Sequence, residues 1–199
     1  MTNPFPPIPH PESMPLNELL RLRLSWLTYL AFAMCVSRIL RHLGYSDIPL
    51  PSRRSFKGPN AHGGVDMFAR EETGLGTVPV LVRLKQYRGP RPVARSAVDE
   101  LRGALTRLGV SHGIIITTVG FSIEARDAAA NYPGRPIRLI DGNEIGRLAE
   151  ACRIGLVVKE DPSTNSKSLV YDENWFELLE DYCEGLRNSK TKKGDHGKE

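Results

Sequence analysis

The chain has 199 residues, enough for one domain of ordinary size with short appendages. Hydrophobic residues make up 40% and charged residues 25%, a balance that excludes wholesale disorder. The formal net charge of +4 and pI of about 9.0 suit a polyanionic partner without defining one.

The first segment, residues 1–15, is rich in proline and lacks the basic and apolar regions of a secretory signal. Proline fixes its own φ and restricts the residue before it, so this segment reads as an extended arm. A helical pattern then runs from Leu16 to Leu43, ended by Gly44. Within it, Leu24 to Val36 is the most apolar stretch. It is short for a membrane span, which needs about 20 residues. Flanked by Arg21, Arg23 and Arg38, it reads as a buried core helix, with membrane attachment as the lesser alternative.

A short strand is expected near Tyr45 to Leu50, followed by loop chemistry from Pro51 to Gly64. Val65 to Ala69 and Val78 to Gln86 read as strands, with a hairpin tip over Glu71 to Thr77. Alternation in the second strand sets Val80, Val82 and Leu84 on one face and Leu81, Arg83 and Lys85 on the other. Helix is predicted over Val93 to Leu108, then a doubly buried strand at Ile114 to Thr117. Ser122 caps a helix through Asn131, Ile137 to Ile140 is a strand, and Asp141 with Glu144 opens a helix to Cys152. This order predicts an α/β sandwich around a mixed sheet.

Beyond Ile154 the pattern weakens. Asp161 to Ser168 reads as a linker, Asp172 to Leu186 as a capped helix and 189–199 as a disordered tail. The expected division is therefore an arm (1–15), one folded domain (16–153), a linker with a C-terminal helix (154–188) and a tail (189–199).

Charge is unevenly distributed. Between Arg83 and Arg107 stand seven basic residues against Asp99 and Glu100. The C-terminal helix instead carries Asp172, Glu173, Glu177, Glu180, Asp181 and Glu184. The acidic helix is either a solvated face or a docking surface for a protein partner. Cys35, Cys152 and Cys183 are scattered and form no CxxC pair, so neither a disulfide framework nor a zinc site is expected.

One constellation carries chemistry. Gly63-Gly64-Val65-Asp66 leads into the first strand, and Val82-Arg83-Leu84-Lys85 ends the second. Phosphodiester hydrolysis uses a carboxylate to hold a divalent ion, and a lysine to orient water and offset developing charge. No Walker A or GxGxxG loop, HExxH pair or GxSxG elbow competes with this reading.

The segment resembles the Mrr family of the PD-(D/E)xK nuclease superfamily. The resemblance continues through Leu43-Gly44-Tyr45, Gly113 to Thr118, Gly120-Phe121-Ser122, Glu124-Ala125 and Leu139-Ile140-Asp141-Gly142, covering about residues 16–150. It implies a restriction-endonuclease-like α/β/α sandwich with a central mixed sheet. It further implies DNA as partner, Mg²⁺ or Mn²⁺ as cofactor, action as a homodimer and a role in defence against foreign DNA, while the scattered cysteines suit a reducing cytoplasm. Asp66 matches the metal-binding acid and Lys85 the family lysine.

Three positions depart from the family pattern. Arg83 replaces the usual Gln or Glu, and a guanidinium cannot ligate a metal. His62 stands where an acid is frequent, and Ala33 where the first helix often has Glu. Two readings stay open. In one the centre is active: Asp66 and His62, or a migrated acid such as Glu71 or Glu72, hold the ion. Arg83, Gln86, Arg88, Arg91 and Arg95 then contact DNA. In the other, the site has decayed and the chain is a non-cleaving subunit that binds DNA or a partner protein.

Overall fold

The computed structural model describes residues 14–49, 65–132, 134–163 and 165–192. Its centre is a five-stranded mixed sheet ordered β1-β2-β3-β4-β5, with β1 at Tyr45–Ser46, β2 at Met67–Thr73, β3 at Gly76–Lys85, β4 at His112–Thr117 and β5 at Ile137–Ile140. The first three strands pair antiparallel, while β3–β4 and β4–β5 are parallel.

Both sheet faces are covered. On one lie α1 (Leu16–Trp26), α2 (Tyr29–His42), α5 (Gly142–Ala151) and α6 (Glu173–Lys192). The other carries α3 (Arg95–Leu108) and α4 (Ile123–Ala130). The alternation expected for β3 is observed: Val80, Val82 and Leu84 enter the first core, and Leu81 enters the second. Ile114 and Ile116 likewise face one core and Ile115 the other, so β4 is apolar on both sides.

The single helix expected from Leu16 to Leu43 is broken at Leu27–Thr28. Thr28 caps α2, its side chain accepting from the Ala31 N–H at 3.4 Å. Glu180 of α6 fixes the break by accepting from the Thr28 N–H at 2.6 Å and from its hydroxyl at 2.5 Å. These partners are supplied from 152 residues away, so local periodicity could not place the break. The apolar run itself is core: Leu24, Leu27, Phe32 and Val36 are fully or almost fully buried. Among the described residues no helix is long and apolar enough to cross a membrane.

The stretch expected to be a linker forms a hairpin, with β6 at Leu156–Asp161 and β7 at Ser166–Tyr171. Its strands are mostly exposed, which weakened the signal of alternation. The following helix extends to Lys192, past the expected start of the tail. Residues 193–199 lie outside the described residues, as do 1–13 of the arm. Arg23, fully buried, pairs with Glu173 at 2.8 Å and lies 4.9 Å from the Phe176 ring centroid, tying α6 to α1.

Candidate active site

The centre lies where β2 begins and β3 ends. Asp66 precedes β2 and donates its N–H to the Val82 carbonyl at 3.0 Å. The ladder between these strands starts at Met67–Val82, so the Leu84 N–H lies beyond it. That N–H donates to Asp66 Oδ2 at 2.8 Å. Tyr29 of α2 donates its hydroxyl to Oδ1 at 2.5 Å. Both carboxylate oxygens are thereby held, and each retains a lone pair for another ligand.

Tyr29 was missed by sequence reasoning. It stands one helical turn before Ala33 on the same face of α2, and its phenol reaches Asp66 from there. Burial, and then the neighbouring Asp66 charge, raise its pKa far above the usual tyrosine range. The phenol therefore remains a proton donor to Asp66 at working pH.

Lys85 is half-buried at the end of β3. Burial first, and the Arg83 cation second, hold its ammonium below the ordinary lysine pKa, while Glu100 and Asp66 oppose the shift. Two threonines at the end of β4 fix the chain around it. Thr117 donates its hydroxyl to the Lys85 carbonyl at 2.7 Å, and Thr118 donates to the Tyr87 carbonyl at 2.7 Å. Thr118 Oγ1 also accepts from the Tyr87 N–H at 2.9 Å.

The lowered pKa of Lys85 has a consequence for stability. Between the folded and unfolded lysine pKa values the unfolded chain binds more protons, so stability rises with pH across that window. At neutral pH the charged ammonium opposes folding. Lys85→Met is expected to melt a few degrees above wild type at pH 7, with the gap narrowing toward pH 10. Equal melting curves at both pH values would remove this assignment.

Arg83 does not pair with Asp66. It is 7% exposed, and its Nη2 donates to Glu100 Oε2 on α3 in a short ion pair. Its Nη1 is buried without a hydrogen-bond partner among the described residues. Glu100 is the second residue that sequence reasoning missed; it stood in the basic stretch as one of two acids, with no signal of its partner.

The expected DNA-contacting residues divide by place. Lys85, Arg88 and Arg91 line one cavity of about 350 Å³, with Tyr87, Ser96 and Glu100. The Arg88 guanidinium also lies 4.4 Å from the Trp26 ring centroid. Arg95 lines a neighbouring depression with Arg102 and pairs with Asp99 at 3.2 Å. Gln86 turns inward, its amide donating to the Leu24 and Leu27 carbonyls at 2.8 Å each. It thus braces the end of α1 beside the Thr28 break.

His62 lies outside the described residues. Glu71 and Glu72 stand at the hairpin end of β2, five and six residues from Asp66, or roughly 17–20 Å at strand rise. They do not join the centre. Among the described residues no group of three or more His, Cys, Asp or Glu could hold an ion. A single fixed carboxylate suits an ion that keeps several waters and takes a substrate phosphate, as Mg²⁺ commonly does. It does not suit an all-protein cage.

A five-stranded mixed sheet with helices on both faces, carrying Asp66 before β2 and Lys85 at the end of the central strand β3, is a restriction-endonuclease-like fold. The family model described as restriction endonuclease, the Mrr catalytic domain, matches residues 24–149. The chain belongs to this family, whose members generally use divalent metal ions. It is 30% identical over 125 residues to the type IV methyl-directed restriction enzyme EcoKMrr of Escherichia coli strain K12, covering 63% of this chain and 39% of that enzyme.

Among solved structures, the DNA modification-dependent restriction endonuclease AspBHI matches with a TM-score of 0.56 at 16% identity, covering 88% of this chain and 41% of AspBHI. MspJI restriction endonuclease, solved with a 27-mer oligonucleotide, matches with a TM-score of 0.44 at 23% identity, covering 64% of this chain and 27% of MspJI. The chain thus spans well under half the length of each of these relatives.

Proposed function

We propose that the chain is a DNA endonuclease that hydrolyses phosphodiester bonds with a divalent ion, Mg²⁺ or Mn²⁺. The observation that carries this reading is Asp66, held by Tyr29 and the Leu84 N–H, within electrostatic reach of Lys85. Asp66 would hold the ion together with water and the substrate phosphate. When bound, the ion supplies Lewis-acid stabilisation of the phosphoryl oxygens and lowers the pKa of a ligated water.

The chain's own residues do the rest. Tyr29 and the Leu84 N–H keep the carboxylate in one orientation. Thr117 and Thr118 hold the end of β3, so Lys85 meets the phosphate from a fixed backbone. Its ammonium offsets charge that develops in the transition state. Arg88 and Arg91 attract the DNA backbone around the same cavity. A duplex cut on both strands fits action as a homodimer, each centre handling one strand. Cytoplasmic defence against foreign DNA is the role this reading assigns.

A second reading is favoured by one observation. Arg83, where the family resemblance leads one to expect Gln or Glu, is a fixed cation paired with Glu100. On that reading the chain grips DNA without cutting it, and the exposed acids of α6 serve a catalytic partner protein.

Supercoiled plasmid incubated with purified full chain in Mg²⁺, Mn²⁺ or EDTA separates the two. Nicked and linear products that require the ion and vanish in Lys85→Ala support the endonuclease. Retention of DNA on a gel without any cleavage supports the second reading. DNA retention should also fall steeply with salt, because phosphate contacts release counterions.

A further inference from the structure

We propose that the cavity beside Lys85 is a phosphate subsite served by Arg83 without any metal ion, and that Glu100 occupies Arg83 until a phosphate displaces it. The proposal deepens the reading of this centre as a DNA-engaging site and rests on it for the source of the phosphate.

Arg83 and Glu100 form an asymmetric pair. The Arg83 side chain is 9% exposed and the Glu100 side chain 56% exposed, so the cation is fixed and the anion is free to leave. The guanidinium fork accepts carboxylate or phosphate in the same planar geometry. Glu100 uses one of its donors, Nη2. Nη1 remains buried with no hydrogen-bond partner among the described residues. A buried unmade donor is costly, and a ligand with more acceptor oxygens than a carboxylate relieves that cost.

The surroundings match the same ligand. Among the described residues that line the cavity, Glu100 is the single acid, against Lys85, Arg88 and Arg91. The 14-residue helix α3 begins at the wall, where Ala94 and Ser96 line the cavity. Ala94 is the N-cap and makes no side-chain capping bond. The first-turn N–H groups and the positive end of the helix dipole thus add to the charge of Lys85, Arg88 and Arg91 at this wall, while Arg83 does not line the cavity itself and is linked to it through Glu100. A phosphate entering here replaces Glu100 on the fork, and the Glu100 carboxylate moves into solvent. No bond is made or broken and no ion is required.

The test is binding in EDTA, where cleavage cannot occur. Anisotropy of a short fluorescent duplex titrated with the full chain should show wild-type binding undiminished by EDTA. Glu100→Gln should bind about tenfold tighter and Arg83→Gln about tenfold weaker, the size of a charge-assisted hydrogen bond. Arg83→Lys, which keeps the charge and loses the fork, should fall between wild type and Arg83→Gln.

A second arm uses inorganic phosphate. It should raise the melting temperature of wild type and Glu100→Gln but not of Arg83→Gln. If Arg83→Gln fails to fold, the Glu100→Gln result decides alone. Unchanged or weaker DNA binding by Glu100→Gln, together with no phosphate effect on wild type, overturns the subsite. Phosphate stabilisation without any DNA binding keeps the subsite, assigns it a small phosphate ligand, and overturns the DNA reading instead.

Discussion

Asp66→Asn is expected to lower DNA cleavage by more than about a hundredfold while leaving the fold and most of the DNA affinity in place. Loss of a residue that merely orients a metal ligand costs about 10- to 100-fold, so loss of the ligand's charge should exceed that range. The asparagine fits the same space. Its oxygen still accepts from the Leu84 N–H, and the Tyr29 hydroxyl can turn to accept from the amide. The comparison therefore reads charge rather than shape.

Tyr29→Phe provides the graded control. It removes one donor to Asp66 and leaves the carboxylate, so about a tenfold rise in the ion concentration needed for half-maximal cleavage is expected. Single-turnover cleavage measured across a Mn²⁺ series checks both variants. An Asp66→Asn protein that cuts like wild type would place the metal-binding acid elsewhere.

Gly155→Ala is expected to destabilise the protein by about 3 kcal/mol, from left-handed backbone strain plus overpacking. Gly155 has φ +63°, and a Cβ there would meet the Phe176 ring at 2.1–2.3 Å. The ring cannot move aside. Phe176 is fully buried, stacked on Tyr171 at 5.6 Å, edge-on to Trp175 at 5.1 Å, and covered by the Arg23 guanidinium. For a chain of this size such a loss lowers the melting temperature by roughly 6–12 °C. An unchanged melting temperature would mean that Phe176 is not seated against the Ile154–Gly155 turn. Because α6 also holds the Thr28 break through Glu180, the variant should weaken the Tyr29–Asp66 contact too.

The elements were legible where a local cause fixed them. Ser122 caps α4, accepting from the Ala125 N–H at 3.2 Å, and Asp141 caps α5 through the N–H groups of Asn143 and Glu144. The β5 strand falls on Ile137–Ile140 as its apolar run implied. Gly109 ends α3 in the left-handed conformation that a glycine adopts without strain. Phe176 is buried in the core and Trp175 packs against it. The break in the first helix and the β6–β7 hairpin were not legible. The first depends on a distant carboxylate, and the second lacks a buried face to impose a pattern.

By itself the sequence determined the fold class, the family and the places of Asp66 before one strand and Lys85 at the end of the next, because periodicity, turns and motif order are local properties. Tertiary structure decided what surrounds that pair. It brought Tyr29 to Asp66 across 37 residues and Glu100 to Arg83 across 17, and it turned Gln86 away toward α1. Side-chain partners at such separations are set by how helices dock on the sheet, and no spacing along the chain encodes them.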